Sequence, residues 1–153
     1  MAVDVSQIAL QRADALYRGL QRRIDFQRRD LTHSFPEGAF DLVTAHYLHS
    51  PLLLDRERVL RRAAHAVAAG GPLLIVDHGA APPWASKLAH NHVFPSVDEV
   101  VASLNLDDSG WKRPRVESVS RSAVGPEGQN GTVIDNVLLL RRAPAIGCAS
   151  NER

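Results

Sequence analysis

Cysteine is nearly absent from this sequence of 153 residues. The one cysteine, Cys148, stands in a tail that also contains glycine, serine and asparagine. A single cysteine cannot form a disulfide within the chain, and it gives no support to a cysteine-based metal site or to a catalytic thiol. We therefore expect a protein of the reducing cytoplasm and predict no protein-bound metal.

Long apolar runs and an excess of one charge are also lacking. No segment approaches the about 18 uninterrupted apolar residues that span a membrane, and the N-terminus has Asp4 where a secretory signal would be apolar. The net charge of +1 gives no general attraction for nucleic acid or an anionic membrane. We therefore expect neither of these as a partner.

The apolar residues that are present alternate between short runs and longer segments of helical period. This alternation over a chain with 44% hydrophobic residues predicts one α/β domain, with helices packed on a mostly parallel sheet. Predicted strands cover residues 2–5, 24–31, 40–48 and 73–76, and a hairpin covers about 115–143. We place the domain at residues 1–143 and expect a disordered tail at 144–153.

Polar residues follow several of the predicted strands. They are Asp4, Asp30, the segment from Ala45 to His49, and Asp77 with His78. In an open α/β sheet, ligands bind beyond the carboxyl ends of the parallel strands, where an acidic residue can accept hydrogen bonds from a ribose. Each acid alone is also compatible with a solvated loop carboxylate or a cap. Their joint placement favours a ligand site.

Four stretches carry a resemblance to a known family. They are "VDVSQIALQRA", "RRDLTHSFPEGAFDLVTAHYLHSP", "RVLRRAAHAVAAGGPLLIVDHG" and "DNVLLLRR". Together, over about residues 2–142, the chain resembles class I S-adenosylmethionine-dependent methyltransferases, especially bacterial small-molecule enzymes of the tellurite-resistance or thiopurine-methyltransferase type. The resemblance implies a three-layer Rossmann-like sheet, S-adenosyl-L-methionine as cofactor, and a small-molecule acceptor. It leaves the oligomeric state open.

The same resemblance implies roles for seven residues. Asp4 would hold the cofactor ribose, and Val5 would flank the adenine. Asp30 and Leu31 would bind the adenine edge. The end of the third predicted strand would face the methionine moiety, through Ala45, His46 and Leu48.

One departure from the family pattern concerns glycine. Family members have a first strand and a glycine-rich turn immediately before the segment that corresponds to "AVDVS", whereas here Met1 precedes it. Gly70 and Gly71 follow a helical segment, so they do not stand where a cofactor turn belongs. We therefore expect a sheet that lacks its first, central strand and glycine-rich turn, an N-terminally truncated domain, and impaired activity.

Histidines supply the candidates for catalysis. His49 and His78 are candidate general bases or substrate contacts, because an unperturbed imidazole titrates near neutral pH. For each of them, a structural role, bonded to a loop carbonyl, is the favoured alternative. A metal-dependent hydrolase is a second hypothesis, with zinc held by a set drawn from His46, His49, Asp77, His78, His90 and His92. A non-catalytic methyltransferase remnant is a third.

Overall fold

Strands and helices alternate along the chain until two long strands end it. The computed structural model describes residues 1–17, 24–48, 54–85 and 93–145. Their elements in chain order are β1 (Ala2–Asp4), α1 (Gln7–Tyr17), β2 (Phe26–Arg28), β3 (Val43–His46), α2 (Arg56–His65), β4 (Pro72–His78), α3 (Val97–Leu104), β5 (Trp111–Val124) and β6 (Asn130–Arg142). The predicted alternation of helices and strands is confirmed.

The helices begin where the sequence provides caps. The Asp55 side chain accepts a hydrogen bond of 3.0 Å from the Arg58 amide at the start of α2. At the start of α3, Ser96 and Glu99 form a reciprocal capping box. Such caps satisfy amide groups that the first helical turn leaves without partners. The ends of these two helices are therefore fixed by local sequence.

The core lies on one face of the sheet around β4. Leu73 and Ile75 of β4 are fully buried, whereas Leu74 and Val76, which point the other way, are only partly buried. The alternation follows from the two-residue period of a strand. Apolar side chains of β6, of α2 and the residues after it, and of α3 complete the core, among them Leu60, Val67, Val100, Leu104, Leu138 and Leu140. Helices α2 and α3 thus cover one face of the sheet.

The strands form two separate sheets. Strands β1 and β2 pair in parallel from Ala2 opposite Phe26 to Asp4 opposite Arg28. The second sheet has the order β3-β4-β6-β5, with β3 parallel to β4 and both other pairings antiparallel. Among the described residues, β1 pairs only with β2 and β3 only with β4. The sheet is therefore interrupted between β1 and β3.

Three predicted strands are shorter in the structure, β1 by only one residue. Strand β2 covers three residues of the predicted 24–31, and β3 begins at Val43 instead of Phe40. Phe40 forms an isolated bridge with Val67, and its amide donates to the Ala66 carbonyl at 2.8 Å. The backbone of Phe40 is thus hydrogen-bonded to the segment after α2, which separates it from the sheet.

The end of the chain is only partly described. The predicted hairpin is confirmed and is longer than expected, because β5 begins at Trp111. Of the predicted disordered tail, residues 146–153 lie outside the described part, so the boundary at 143 stays a prediction. In the described ranges, no helix has the length and apolar character needed to cross a membrane.

The core assignment predicts a large stability difference between two leucine substitutions. Leu138→Ala removes a side chain with no exposed surface, so we expect the free energy of unfolding to fall by about 2 to 5 kcal/mol. Leu16→Ala, at a position 79% exposed, is the matched control and should change it by less than about 0.5 kcal/mol. Urea denaturation followed by circular dichroism measures both. Equal losses would contradict the assignment.

Candidate functional site

A groove of about 720 Å³ lies between the two sheets, at the interruption between β1 and β3. Its walls include β1 and the turn after it, residues 29–32 after β2, and the end of β3 with the residues that follow. These are carboxyl ends of parallel strands, where ligands of α/β proteins bind. All seven residues proposed from the sequence to contact a cofactor line this groove: Asp4, Val5, Asp30, Leu31, Ala45, His46 and Leu48.

Asp4 joins β1 to α1. Its Oδ1 accepts a hydrogen bond of 2.7 Å from the Ser6 amide, and the Ser6 hydroxyl accepts one of 3.2 Å from the Ala9 amide in the first turn of α1. Within the described residues, Asp4 Oδ2 has no hydrogen-bond partner. The carboxylate is exposed at the groove, so one oxygen is fixed by the turn and the other is available to a ligand.

Asp30 is held in its charged form by local hydrogen bonds. Its Oδ1 accepts from the Thr32 amide at 2.9 Å, and its Oδ2 lies 3.0 Å from His33 Nδ1. The hydrogen bond from the Thr32 backbone amide and, to a smaller extent, the hydrogen bond with His33 lower the pKa of this carboxyl below its ordinary value. Asp30 is therefore an ionised acceptor at neutral pH, on the groove wall opposite the end of β3.

The chain turns sharply after β3. Tyr47 has a φ of +47°, a left-handed conformation that costs energy for a residue with a side chain. Its amide donates to the Val76 carbonyl at 2.7 Å, which holds the turn against β4. His46 and Leu48 flank it, and all three residues line the groove. The turn thereby directs the aromatic ring toward the next strand.

A polar cluster lies beside this turn, where the end of β4 pairs with the middle of β6. We call Tyr47, His78, Arg121 and Asp135 the Asp135 cluster. Asp135 Oδ2 accepts from Arg121 Nε at 2.5 Å and from the Tyr47 hydroxyl at 3.2 Å. Asp135 Oδ1 lies 3.6 Å from His78 Nδ1, and the rings of His78 and Tyr47 are 4.5 Å apart. The hydrogen bond to Asp135 raises the pKa of Arg121.

The sequence pointed to His78 but not to the other three members of this cluster. Tyr47 stands beside predicted groove residues, yet nothing in the sequence indicates its left-handed backbone. Asp135 and Arg121 meet through the register of the hairpin, in which Val119 lies opposite Asp135. The predicted turn near Gly125 to Gly131 was the available signal, because counting outward from it brings these two positions close.

Asp77 and His78 project from opposite faces of β4, as neighbours on a strand do. Asp77 is buried on the core side, where it forms an ion pair with Arg56 at the start of α2. No group of three metal-binding side chains occurs among the residues that the structure describes. His49, His90 and His92 lie outside these residues, so their predicted roles stay predictions.

Comparison with known proteins relates this groove to methyltransferases. Residues 1–71 match the family model "Methyltransferase domain". This stretch holds β1 to α2 and every groove-lining residue. No match was found among curated proteins. The family match therefore covers slightly less than half of the chain, and it is the half that contains the groove.

Solved structures extend the likeness to most of the chain. TehB from Haemophilus influenzae superposes with a TM-score of 0.67 at 12% identity, covering 92% of this chain and 48% of TehB. The N-methyltransferase NodS from Bradyrhizobium japonicum, in complex with S-adenosyl-l-homocysteine, gives 0.59 at 20% identity, covering 93% and 65%. A structure described by "Conversion of a Disulfide Bond into a Thioacetal Group during Echinomycin Biosynthesis" gives 0.62 at 21%, covering 92% and 65%. The chain thus spans from about half to two thirds of these proteins.

These likenesses establish the fold. The α/β, Rossmann-like methyltransferase architecture expected from the sequence is confirmed, with the interruption between β1 and β3 described above. At these levels of identity the comparisons do not assign an acceptor, and the tellurite-resistance or thiopurine type stays a proposal.

The Asp30 hydrogen bonds predict a measurable pH dependence. The pKa of Asp30 is lower in the folded protein than in the unfolded chain, where it is about 3.9. The hydrogen bonds to Asp30 therefore stabilise the fold at pH values above about 3.9, and this contribution is lost as the pH falls through the folded pKa. Carboxyl ¹³C NMR titration should give a midpoint below 3.9. His33→Ala should raise that midpoint only in part, because the bond from the Thr32 amide remains. A midpoint unchanged by His33→Ala would refute the role of the imidazole.

The buried ion pair makes a separate stability prediction. Arg56→Met removes the guanidinium that pairs with the Asp77 carboxylate, which is 2% exposed, and should cost about 3 to 5 kcal/mol. Adding Asp77→Asn to this variant should recover part of the loss, because no charge is then buried. Arg58→Met, on the exposed side of the same helix, is the control. Urea unfolding of the four proteins gives the comparison, and an equal loss in Arg58→Met would contradict it.

Proposed function

We propose that this protein transfers a methyl group from S-adenosylmethionine to a small-molecule acceptor, with the cofactor in the groove between the two sheets. The convergence on one groove of the seven residues implied by the sequence resemblance supports the proposal most directly. The family match over residues 1–71 and the S-adenosyl-l-homocysteine complex of NodS agree with it.

The groove residues divide by chemistry in the proposed complex. Asp4 accepts hydrogen bonds from the ribose hydroxyls, and Asp30 accepts one from the adenine amine. Val5 and Leu31 supply apolar surface beside the adenine. Residues at the end of β3, namely Ala45, His46 and Leu48, line the methionine portion. When bound, S-adenosylmethionine supplies an electrophilic methyl group, and the chain supplies orientation and exclusion of water.

We place the acceptor among small molecules because the net charge of +1 offers no general attraction for a polyanion. Among bacterial small-molecule methyltransferases, we favour the tellurite-resistance or thiopurine-methyltransferase type, to which the sequence resemblance leads. TehB is one of the similar structures. We place the protein in the cytoplasm on the basis of its single cysteine.

We further propose that cofactor binding by these 153 residues is weak. The groove is bordered by β1 and β3, neither of which pairs across it in the described residues. The sequence offers no glycine-rich turn between a strand and a helix to approach the cofactor. Gly71 serves the packing of the backbone instead, because a Cβ there would lie 2.8 Å from the Asp41 carbonyl oxygen. A non-catalytic remnant is the alternative that these same observations favour.

The hydrolase hypothesis has less support. Asp77 and His78 lie on opposite faces of β4, and Asp77 is paired with Arg56. A zinc site needs at least three side chains directed at one point. Retention of zinc by purified protein after dialysis against a chelator would revive this hypothesis.

Calorimetric titration with S-adenosylhomocysteine tests the cofactor site. We expect Asp4→Ala and Asp30→Ala each to weaken binding several-fold, because each removes an acceptor from the ligand. Asp41→Ala is the matched control, since Asp41 is exposed and lies outside the groove lining. Unchanged affinity in both groove variants would overturn the assignment.

A second titration addresses the weak binding. The same ligand is added to a version of the protein extended upstream in its own reading frame. Tighter binding by the extended version supports a groove that needs a further strand and glycine-rich turn. Equal binding by the two versions would show that the groove is sufficient as it stands. Absence of binding in both would favour the remnant.

A further inference from the structure

We propose that the Asp135 cluster is the acceptor site of this protein, in which Asp135 positions His78 to take a proton from a neutral acceptor that carries a hydroxyl group. The proposal deepens the proposed methyl transfer and rests on it. Neither Asp135, Tyr47 nor Arg121 had a role in the sequence interpretation.

Asp135 is a buried acidic residue on β6. Its side chain is 7% exposed, and a buried carboxylate is costly unless it is paired and hydrogen-bonded. Arg121 and the Tyr47 hydroxyl both donate to Oδ2, which fixes the orientation of the carboxylate. The other oxygen, Oδ1, then faces His78 Nδ1 at 3.6 Å. Asp135 is therefore a preorganised anion beside an imidazole.

The backbone holds this arrangement in place. His78 and Asp135 are directly opposite each other in the β4 and β6 pairing, so their side chains lie on the same face of the sheet. Tyr47 contacts both of them from the turn after β3, where its backbone adopts the left-handed conformation. Strained residues of this kind cluster at functional sites, where the surrounding structure maintains them. The cluster is thus built by β4, β5 and β6 together with the turn after β3.

The cluster lies next to the proposed cofactor groove. Tyr47 belongs to both, because it lines the groove and its ring lies 4.5 Å from that of His78. His78 retains 33% of its side-chain exposure, so a bound molecule can reach it. An acceptor at His78 would therefore stand beside the end of β3, where the methionine portion of the cofactor is proposed to lie.

The charges indicate the class of acceptor. When the His78 imidazole is neutral, the positive charge of Arg121 balances the negative charge of Asp135, and the cluster has no net charge. A neutral acceptor suits such a site better than an ion does. The exposed ring of Tyr47 adds an aromatic surface. We therefore assign a neutral hydroxyl compound, with an aromatic alcohol as the simplest case.

The chemical step balances with these groups. An electron pair of the acceptor oxygen forms the bond to the methyl carbon, and the bond from that carbon to the sulfonium sulfur breaks with its pair left on sulfur. The hydroxyl proton passes to His78 Nε2. Asp135 then stabilises the imidazolium, as a carboxylate does beside other catalytic histidines. Asp135 acts through His78, so it is a positioning residue.

The tautomer of His78 gives a direct test that needs no cofactor. If Asp135 orients the ring, the proton of neutral His78 is on Nδ1 and Nε2 carries no proton, which ring ¹⁵N chemical shifts report. Asp135→Asn should increase the share of the form protonated on Nε2, whereas Asp41→Asn should not. Should Asp135→Asn fail to fold, the wild-type spectrum still decides, because a proton on Nε2 there would overturn the proposal.

Acceptor binding is tested with phenol and anisole as probes. Phenol has a hydroxyl proton to donate to Nε2, and anisole is the same ring with that oxygen methylated. Phenol should shift the Nε2 signal of wild-type His78 in a saturable way, and at least threefold less in Asp135→Asn. Anisole should leave it unchanged. Equal shifts from both probes, or none from phenol, would overturn the proposal while leaving the calorimetric test of the cofactor groove unaffected.

Discussion

The burial of one face of β4 is the constraint on which the rest of the structure depends. Leu73 and Ile75 have no exposed surface, and the fully buried Leu138 and Leu140 lie opposite them on β6. Covering this face fixes the positions of α2 and α3 and the order β3-β4-β6-β5. Because a strand alternates its side chains, the same packing directs His78 to the opposite face. The core thus sets which polar groups are left for function.

The two proposed sites follow from where the sheets stop. The groove lies between β1 and β3, which do not pair in the described residues, and the turns after β1, β2 and β3 bring carboxylates and apolar residues to its walls. The Asp135 cluster lies at the end of the neighbouring strand β4, where His78 pairs with Asp135 in the middle of β6. Tyr47 connects the two sites. A ligand divided into an adenosyl part and a reacting part would match this arrangement.

Much of this arrangement could be predicted from the sequence, and the exceptions have physical causes. Strand-end positions identified Asp4 and Asp30, because parallel strands share one carboxyl edge. The limits of β3 were wrong, because the Phe40 backbone is bonded near Val67. Asp135 and Arg121 were missed, because they meet through hairpin register and ion pairing rather than through any local pattern. The backbone conformation of Tyr47 likewise depends on its bond to Val76.

The most direct test of the account is a map of amide chemical-shift changes on adding S-adenosylhomocysteine to ¹⁵N-labelled protein, which detects weak binding. The account predicts saturable changes at the three groove walls, in residues 3–5, 29–32 and 44–48. The distant hairpin residues 122–132 should be unaffected. Changes centred on that hairpin, or no change at the groove walls at saturating ligand, would contradict the claim that the interrupted sheet forms an adenosyl-binding groove.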